Sequence, residues 1–107
     1  MAERHLVDVH ILLVRDGELL LSRRRSADEF DGLWHLPAGK LESGESATAA
    51  AAREAGEEIG VVIAPAELRL IHTAHVTSSG REARLGLFFH ALRWAGEPHR
   101  RKAGERV

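Results

Sequence analysis

The sequence predicts an α/β (α+β) fold in a single domain spanning residues 1–107, with strands on either side of one central helix. Three observations carry this. An apolar run alternating with period two opens the chain at 6–14, a helical pattern holds from about 45 to 59, and two more strand-like runs follow at 68–77 and 83–94. Side chains that alternate can cover one face of a sheet, whereas the alanine-rich middle segment suits a helix lying on it.

In the first run, Val7, Val9, Ile11 and Leu13 alternate with Asp8, His10, Leu12 and Val14, and the second face turns apolar toward its end. Asp16-Gly17 then separates it from Glu18-Leu19-Leu20-Leu21-Ser22, a hairpin signal because both turn residues tolerate positive φ. Strands are therefore expected near 5–14 and 18–24. Residues 25–34 have no regular period and read as a loop, followed by a short extended piece from Trp34 to Pro37. Two glycines and a proline in 37–44 forbid a regular helix there.

The helix begins around Glu45-Ser46, runs through Ile59 and stops at Gly60, a left-handed cap with Pro65 beyond. Ala47, Ala51 and Ala55 recur every four residues, a small-residue stripe suited to close contact with a sheet. Gly56 inside the helix costs up to about 1 kcal/mol against alanine, which suggests close packing or a special role. After it, Leu85, Leu87, Phe89 and Ala91 make one face of the last strand and Phe88 and Leu92 the other, and the tail from Ala95 is polar.

Hydrophobic residues make up 44% of the chain and charged residues 29%, which is globular rather than disordered composition. The absence of cysteine excludes a disulfide framework, a thiolate metal site and a cysteine nucleophile. No apolar run reaches the roughly 20 residues of a membrane helix, and no hydrophobic signal region follows the N-terminus, so a cytoplasmic protein without a membrane partner is expected. A formal net charge of −1 gives no steering toward a nucleic-acid polymer.

The informative segment is Arg53-Glu54-Ala55-Gly56-Glu57-Glu58. Glu57 and Glu58 lie three and four positions after Glu54, so the three carboxylates are expected on one side of the helix. Each such pair repels by a few tenths of a kcal/mol, and all sit in the half of the helix where the macrodipole disfavours negative charge. A solvated acidic face, partly neutralised by Arg53 and by Arg23, Arg24 and Arg25, is one reading. The other is a hard divalent cation, Mg²⁺ or Mn²⁺, which prefers carboxylate oxygens and bridges them to phosphate.

Gly39, five residues, Glu45, seven residues, then Arg53-Glu54-Ala55-Gly56-Glu57-Glu58-Ile59-Gly60-Val61 fills every fixed position of the Nudix box. Leu36-Pro37 before it, and Trp94-x-Gly96-Glu97-Pro98 near the end, also resemble MutT-type members of that family. The resemblance implies a mixed β-sheet with the box helix on one face. It also implies an Mg²⁺- or Mn²⁺-dependent hydrolase that cleaves a nucleoside diphosphate linked to another group by water attack, with a small-molecule nucleotide as partner. By motif position, Glu57 and Glu58 would ligate metal together with the Ala38 carbonyl. Glu54 would be a further ligand, or would orient or deprotonate water. Arg53 is counted with these catalytic residues, yet it and Glu45 would chiefly hold the loop to the helix by a charge-assisted contact. Gly39 would permit a backbone conformation that a side chain obstructs. Ala38 stands where glycine is commonest in the family, a small departure if only its carbonyl matters.

Arg24 matches a position that contacts substrate phosphate in such proteins. Trp34 and Phe30 could stack on a base, although core packing is the expected use of five aromatics. His72 and His75, three apart on a strand, face opposite ways and make a poor chelating pair. His10 and His90 read as core or edge residues, and His35, beside the box, has a positioning role.

Relatives of this shape usually continue after Gly-Glu-Pro with a strand and a C-terminal helix, so with the sequence stopping at Val107 a C-terminally truncated domain without that helix is expected. Glu105 is the local candidate for an extra acid that some relatives draw from that segment. An apolar sheet face left open would favour a homodimer or low stability. The leading expectation is a pyrophosphohydrolase of nucleoside triphosphates. The alternatives are a nucleotide-sugar or dinucleotide pyrophosphatase, such as one acting on ADP-ribose, or an inert nucleotide-binding module.

Overall fold

The computed structural model describes residues 2–24, 26–77 and 82–99. Its centre is a four-stranded mixed sheet built from β1 (Leu6–Leu12), β6 (Ala38–Lys40), β7 (Leu68–Val76) and β8 (Arg84–Ala91), in the order β6-β1-β8-β7. β1 runs parallel to β8 and antiparallel to β6, and β7 is antiparallel to β8. The single α-helix among the described residues, α1 (Ala47–Ile59), lies on one sheet face. Ala50, Ala51, Ala55 and Ile59 of the helix are fully buried in one core with Val9, Ile11, Phe89 and Ala91 of the sheet. Ala51 and Ala55 of the expected alanine stripe thus form the docking surface together with Ala50, while Ala47 is only partly buried. Methyl groups allow the helix to approach the sheet closely, and the branched strand residues fill the volume they leave.

The first expected strands are shorter than their apolar runs. β1 ends at Leu12, and the Asp16-Gly17 turn (φ 54° and 76°) closes a separate ribbon of β2 (Val14–Arg15) and β3 (Glu18–Leu19). The chain then leaves that ribbon and pairs β4 (Ser22–Arg23) with β5 (Trp34–His35). Leu13 is the pivot, buried in the core while its carbonyl accepts from the Leu20 amide at 3.0 Å. The 37–44 segment is not loop throughout: Ala38–Lys40 adds to the sheet edge beside β1, with Gly39 opposite Val9. Glycine and proline there exclude a helix but not an edge strand.

The last strand stops at Ala91 rather than 94. Beyond it the chain is tied to the segment after the helix, Val62 pairing with Ala95 and the His99 amide donating to the Ile59 carbonyl at 2.8 Å. The close packing expected at Gly56 is absent, since an added Cβ would meet only the Val61 carbonyl oxygen at 3.7 Å, an ordinary contact. Nothing in the structure explains that glycine. Among the described residues, no helix is long and apolar enough to cross a membrane.

Candidate active site

The site forms where the edge strand β6 meets the helix. Ser46 caps α1 by accepting from the Ala49 amide at 3.2 Å, and Gly60 ends it in the left-handed region at φ 74°. This fixes the rotation of the helix, and with it the direction in which Arg53, Glu54 and Glu58 project.

Arg53 is the hub. Its Nη2 and Nε donate to the two Glu45 carboxylate oxygens at 2.6 and 3.1 Å, and Nη2 also reaches the Lys40 carbonyl at 3.1 Å. Its Nη1 donates to Glu54 at 2.8 Å and to Glu57 at 3.2 Å. One guanidinium therefore joins the loop, the edge strand and two of the helix glutamates, which a lysine's point charge could not do. The bonds from Arg53 and from the Glu42 amide hold the Glu45 carboxyl below the usual carboxylate range, and the Glu45 carboxylate, with that of Glu54, pushes Arg53 further up.

The three glutamates do not share one environment, contrary to the sequence expectation. Glu54 and Glu58, one turn apart, are buried against β6, while the Glu57 side chain is 52% exposed on the flank. The helical spacing places Glu57 about 100° from Glu58 and about 60° from Glu54, toward solvent, where Arg53 catches it. Glu58 accepts from the Ala38 amide at 3.1 Å, fixing the β6 residue whose carbonyl the resemblance implicates. The Glu54 carboxylate packs against the Cα of Gly39, occupying the space a side chain there would take. The obstruction expected at Gly39 is therefore real, and its cause is Glu54. Glu54 Oε2 is buried with no hydrogen-bond partner.

A buried carboxylate oxygen without a donor is costly, and a cation is the natural partner for it. Among the described residues, no three Asp, Glu or His side chains converge as a finished metal cage. The donor set is nevertheless all hard oxygen, the chemistry suited to Mg²⁺ or Mn²⁺, and Arg53 stands in for part of the missing positive charge.

Beside this corner, over the sheet face opposite α1, lies a cavity of about 590 Å³ bordered by Ala38, Gly39, Lys40, Arg24, Phe30, Asp8, His10 and Arg84. Arg24 is brought to the cavity as expected of a phosphate contact, but it bonds Ser26 and Asp28 and sits over the Phe30 ring at 5.8 Å. Phe30 and Trp34 are not core residues. Trp34 is 58% exposed, with Arg23 over its ring at 5.7 Å. Strand β5 is an outlying ribbon, so its outward positions have nothing to pack on. His35 is held by its own neighbour, Nδ1 lying 2.7 Å from the Leu36 carbonyl oxygen. His72 and His75 do face opposite ways, His72 against Phe88 and His75 with its Nε2 2.7 Å from that of His5. Arg25 and Glu105 lie outside the described residues.

Sequence reasoning missed Asp8, His10, Lys40 and Arg84. His10 is neither core nor idle edge but part of the cavity wall. The signal was present in β1, where Asp8 and His10 occupy the same face of an otherwise apolar strand. Their shared surroundings became visible only through the register that places Gly86 and Phe88 beside them.

The fold and site together define an α+β domain whose helix α1 sets carboxylates against the sheet edge. The chain belongs to the NUDIX domain family, whose profile matches residues 4–107. It is 37% identical over 73 residues to the CTP pyrophosphohydrolase of Escherichia coli (strain K12), an alignment covering 68% of this chain and 53% of that protein. To the 8-oxo-dGTP diphosphatase of Haemophilus influenzae it is 29% identical over 107 residues, covering 96% of this chain and 75% of the relative. A crystal structure of a MutT NUDIX hydrolase from Burkholderia pseudomallei superposes with a TM-score of 0.85 at 28% identity, over 98% of this chain and 80% of that one. The chain thus spans about half the length of the E. coli relative.

Proposed function

We propose that this protein is a divalent-metal-dependent pyrophosphohydrolase of nucleoside triphosphates or related nucleoside diphosphate derivatives. What supports this reading is the buried, donorless Glu54 oxygen beside Glu58, packed behind Gly39 of the edge strand whose Ala38, Gly39 and Lys40 also border the cavity. The relatives named for CTP and 8-oxo-dGTP chemistry support the same class of substrate.

Glu54, Glu57, Glu58 and the Ala38 carbonyl would hold Mg²⁺ or Mn²⁺. When bound, the cation neutralises phosphate oxygens and favours attack by water. The chain's own residues do the rest. Glu58 fixes Ala38 through its amide, Arg53 and Glu45 set the loop, and Glu54 orients the water or takes its proton. Lys40 offers positive charge to the phosphates, because no ion pair commits it among the described residues, whereas Arg24 and Arg84 are paired to Asp28 and Asp8. The water oxygen bonds to one phosphorus as the bond from that phosphorus to the bridging oxygen breaks. A triphosphate thus gives a nucleoside monophosphate and pyrophosphate.

The test is turnover of a panel of nucleoside triphosphates, nucleotide sugars and ADP-ribose with Mg²⁺, scored by product identity. A Glu57→Gln, Glu58→Gln double variant should lose activity by at least about 10²-fold, the scale of removing a group that stabilises transition-state charge. Turnover unaffected by that change would refute the mechanism, and release from ADP-ribose alone would move the substrate to the alternative class.

A further inference from the structure

Two histidines outside the candidate active site are aimed at each other. His5 Nε2 lies 2.7 Å from His75 Nε2, although 70 residues separate them in sequence. The ring centres are 4.7 Å apart and the planes inclined at 37°, so the rings meet through their nitrogen tips rather than face to face. Neither residue borders the 590 Å³ cavity. By strand alternation His75 shares its side of the sheet with Leu85 and Leu87, the side that packs on α1, whereas His10 and His72 turn the other way onto Phe88. The partner that His72 could not be for His75 thus comes from the start of the chain.

Both rings stand on fixed backbone. Immediately after His5, the Leu6 amide donates to the Ala83 carbonyl at 3.1 Å and the parallel β1–β8 ladder begins. His75 is in register with Leu85 in the β7–β8 ladder. β8 lies between β1 and β7, so the two side chains span it from either side and join strands that do not pair. A neutral imidazole carries one N–H and one lone pair, so one ring donates through Nε2 and the other accepts there.

We infer that His5 and His75 form a second metal site, which takes one Zn²⁺, Cu²⁺ or Ni²⁺ ion and with it ties β7 to β1. The shared proton occupies the place of the cation; moving it to Nδ1 of the donating ring leaves two Nε2 lone pairs for the ion, with no net proton lost. Two bonds of about 2.0–2.1 Å to one ion set their nitrogens roughly 2.8–3.0 Å apart at a right angle and roughly 3.3–3.4 Å at the tetrahedral angle. The observed 2.7 Å is close to the first value, and His75 is exposed, so small ring rotations reach either geometry. Among the described residues no third Asp, Glu or His joins the pair, so water completes the coordination. Imidazole suits these borderline ions, whereas the oxygen donors of Glu54 and Glu58 suit Mg²⁺ or Mn²⁺, so the two sites sort metals by ligand type. The inference does not depend on the hydrolase reading.

Zn²⁺ titration of the unmutated chain, followed by NMR of the imidazole nitrogens and without nucleotide, tests this. The first equivalent should shift Nε2 of His5 and of His75 and leave both rings in the Nδ1–H form, before His35, His72 or His99 responds. A tenfold larger amount of Mg²⁺ should move neither. Calorimetry on the Glu57→Gln, Glu58→Gln background, which weakens the box as a competing site, gives the affinity. There His5→Ala or His75→Gln should weaken Zn²⁺ binding by about tenfold or more, since losing even the hydrogen-bond partner of a metal ligand costs about 10–100-fold. His72→Ala should leave it within about twofold, and thermal melts verify that each variant is folded. His5 and His75 nitrogens that stay unmoved by Zn²⁺, or that Mg²⁺ shifts as strongly, would overturn the inference, as would a folded His5→Ala that keeps its affinity. Because the NMR titration uses the unmutated chain, it decides the matter even where a variant does not fold. Failure of the hydrolase reading shows elsewhere, as turnover that survives the Glu57→Gln, Glu58→Gln change.

Discussion

Gly39→Ala is a substitution that should separate activity from stability. An ideal Cβ at this position falls inside the Glu54 carboxylate, touching its carbon and both oxygens. The strand cannot move aside easily, because Gly39 is in register with Val9 at the centre of the β1–β6 ladder. What can move is the carboxylate, the free end of a side chain with three rotatable bonds. It must retreat by roughly 1 Å or more, a misplacement that costs about 10²-fold in turnover when it strikes a reacting group. The stability cost should stay within the usual overpacking range of about 1–3 kcal/mol, and toward its low end because a side-chain tip yields rather than backbone. The assay is kcat/KM on the best triphosphate beside urea unfolding of the same preparations. A double-mutant cycle with Glu54→Ala sharpens it: once the carboxylate is gone, Gly39→Ala should cost little further activity. If Gly39→Ala keeps kcat/KM within threefold, or if its effect adds fully to that of Glu54→Ala, the steric reasoning is wrong.

Arg53→Lys should destabilise the domain and weaken activity together, because an ammonium cannot serve Glu45, Lys40, Glu54 and Glu57 at once; unchanged melting and turnover would contradict the hub. Saturating Mg²⁺ should raise the melting temperature, with about 2.7 kcal/mol expected at a hundredfold excess over its Kd, and the gain should vanish in the Glu57→Gln, Glu58→Gln variant. Glu45 titrates below its unfolded value through its bonds to Arg53, so its contribution is complete above that unfolded value and is lost as pH falls through the lower folded one. Glu45→Gln should flatten the acid limb of a melting-temperature profile. His10 is depressed by burial, opposed by Asp8, so stability should be complete above about pH 6.5 and fall as pH drops toward its folded value. His10→Phe should remove that slope, and an imidazole NMR titration reads the same group directly.

What was legible in the sequence is what local pattern encodes. The alanine stripe, the Gly60 stop, the Asp16-Gly17 turn and the two late strands depend on neighbours within one or two turns or on simple alternation, and each is found. The breaks at Leu13 and after Leu19 were not legible, because nothing local says that β4 must leave β3 to pair with β5. Ala38–Lys40 was hidden for the same reason, since a short glycine-containing strand exists only through its partner β1. At the site, the box residues were found by spacing, but the division of the glutamates was not, because it depends on where β6 lies. The cavity floor was out of reach, as Asp8, His10, Phe88 and Arg84 are joined by parallel pairing of strands more than 70 residues apart.

The helix that seemed overloaded with carboxylates turns out to carry its charge in two ways. Arg53 offsets Glu45, Glu54 and Glu57 through hydrogen bonds, and that part makes a folded, metal-free domain possible. The remainder, Glu54 Oε2, is left buried and without a donor. A chain selected for stability alone would have put a glutamine at that point, since its Oε1 still accepts from Arg53 and an uncharged amide costs less to bury than a carboxylate oxygen without a donor. Glu54→Gln should therefore hold or raise the unfolding free energy in EDTA while it lowers turnover. A stabilised, slow variant of this kind is what a residue kept for chemistry predicts, whereas a residue kept for folding predicts that stability and activity fall together. Unfolding in EDTA and turnover in Mg²⁺, measured on one preparation, decide between them.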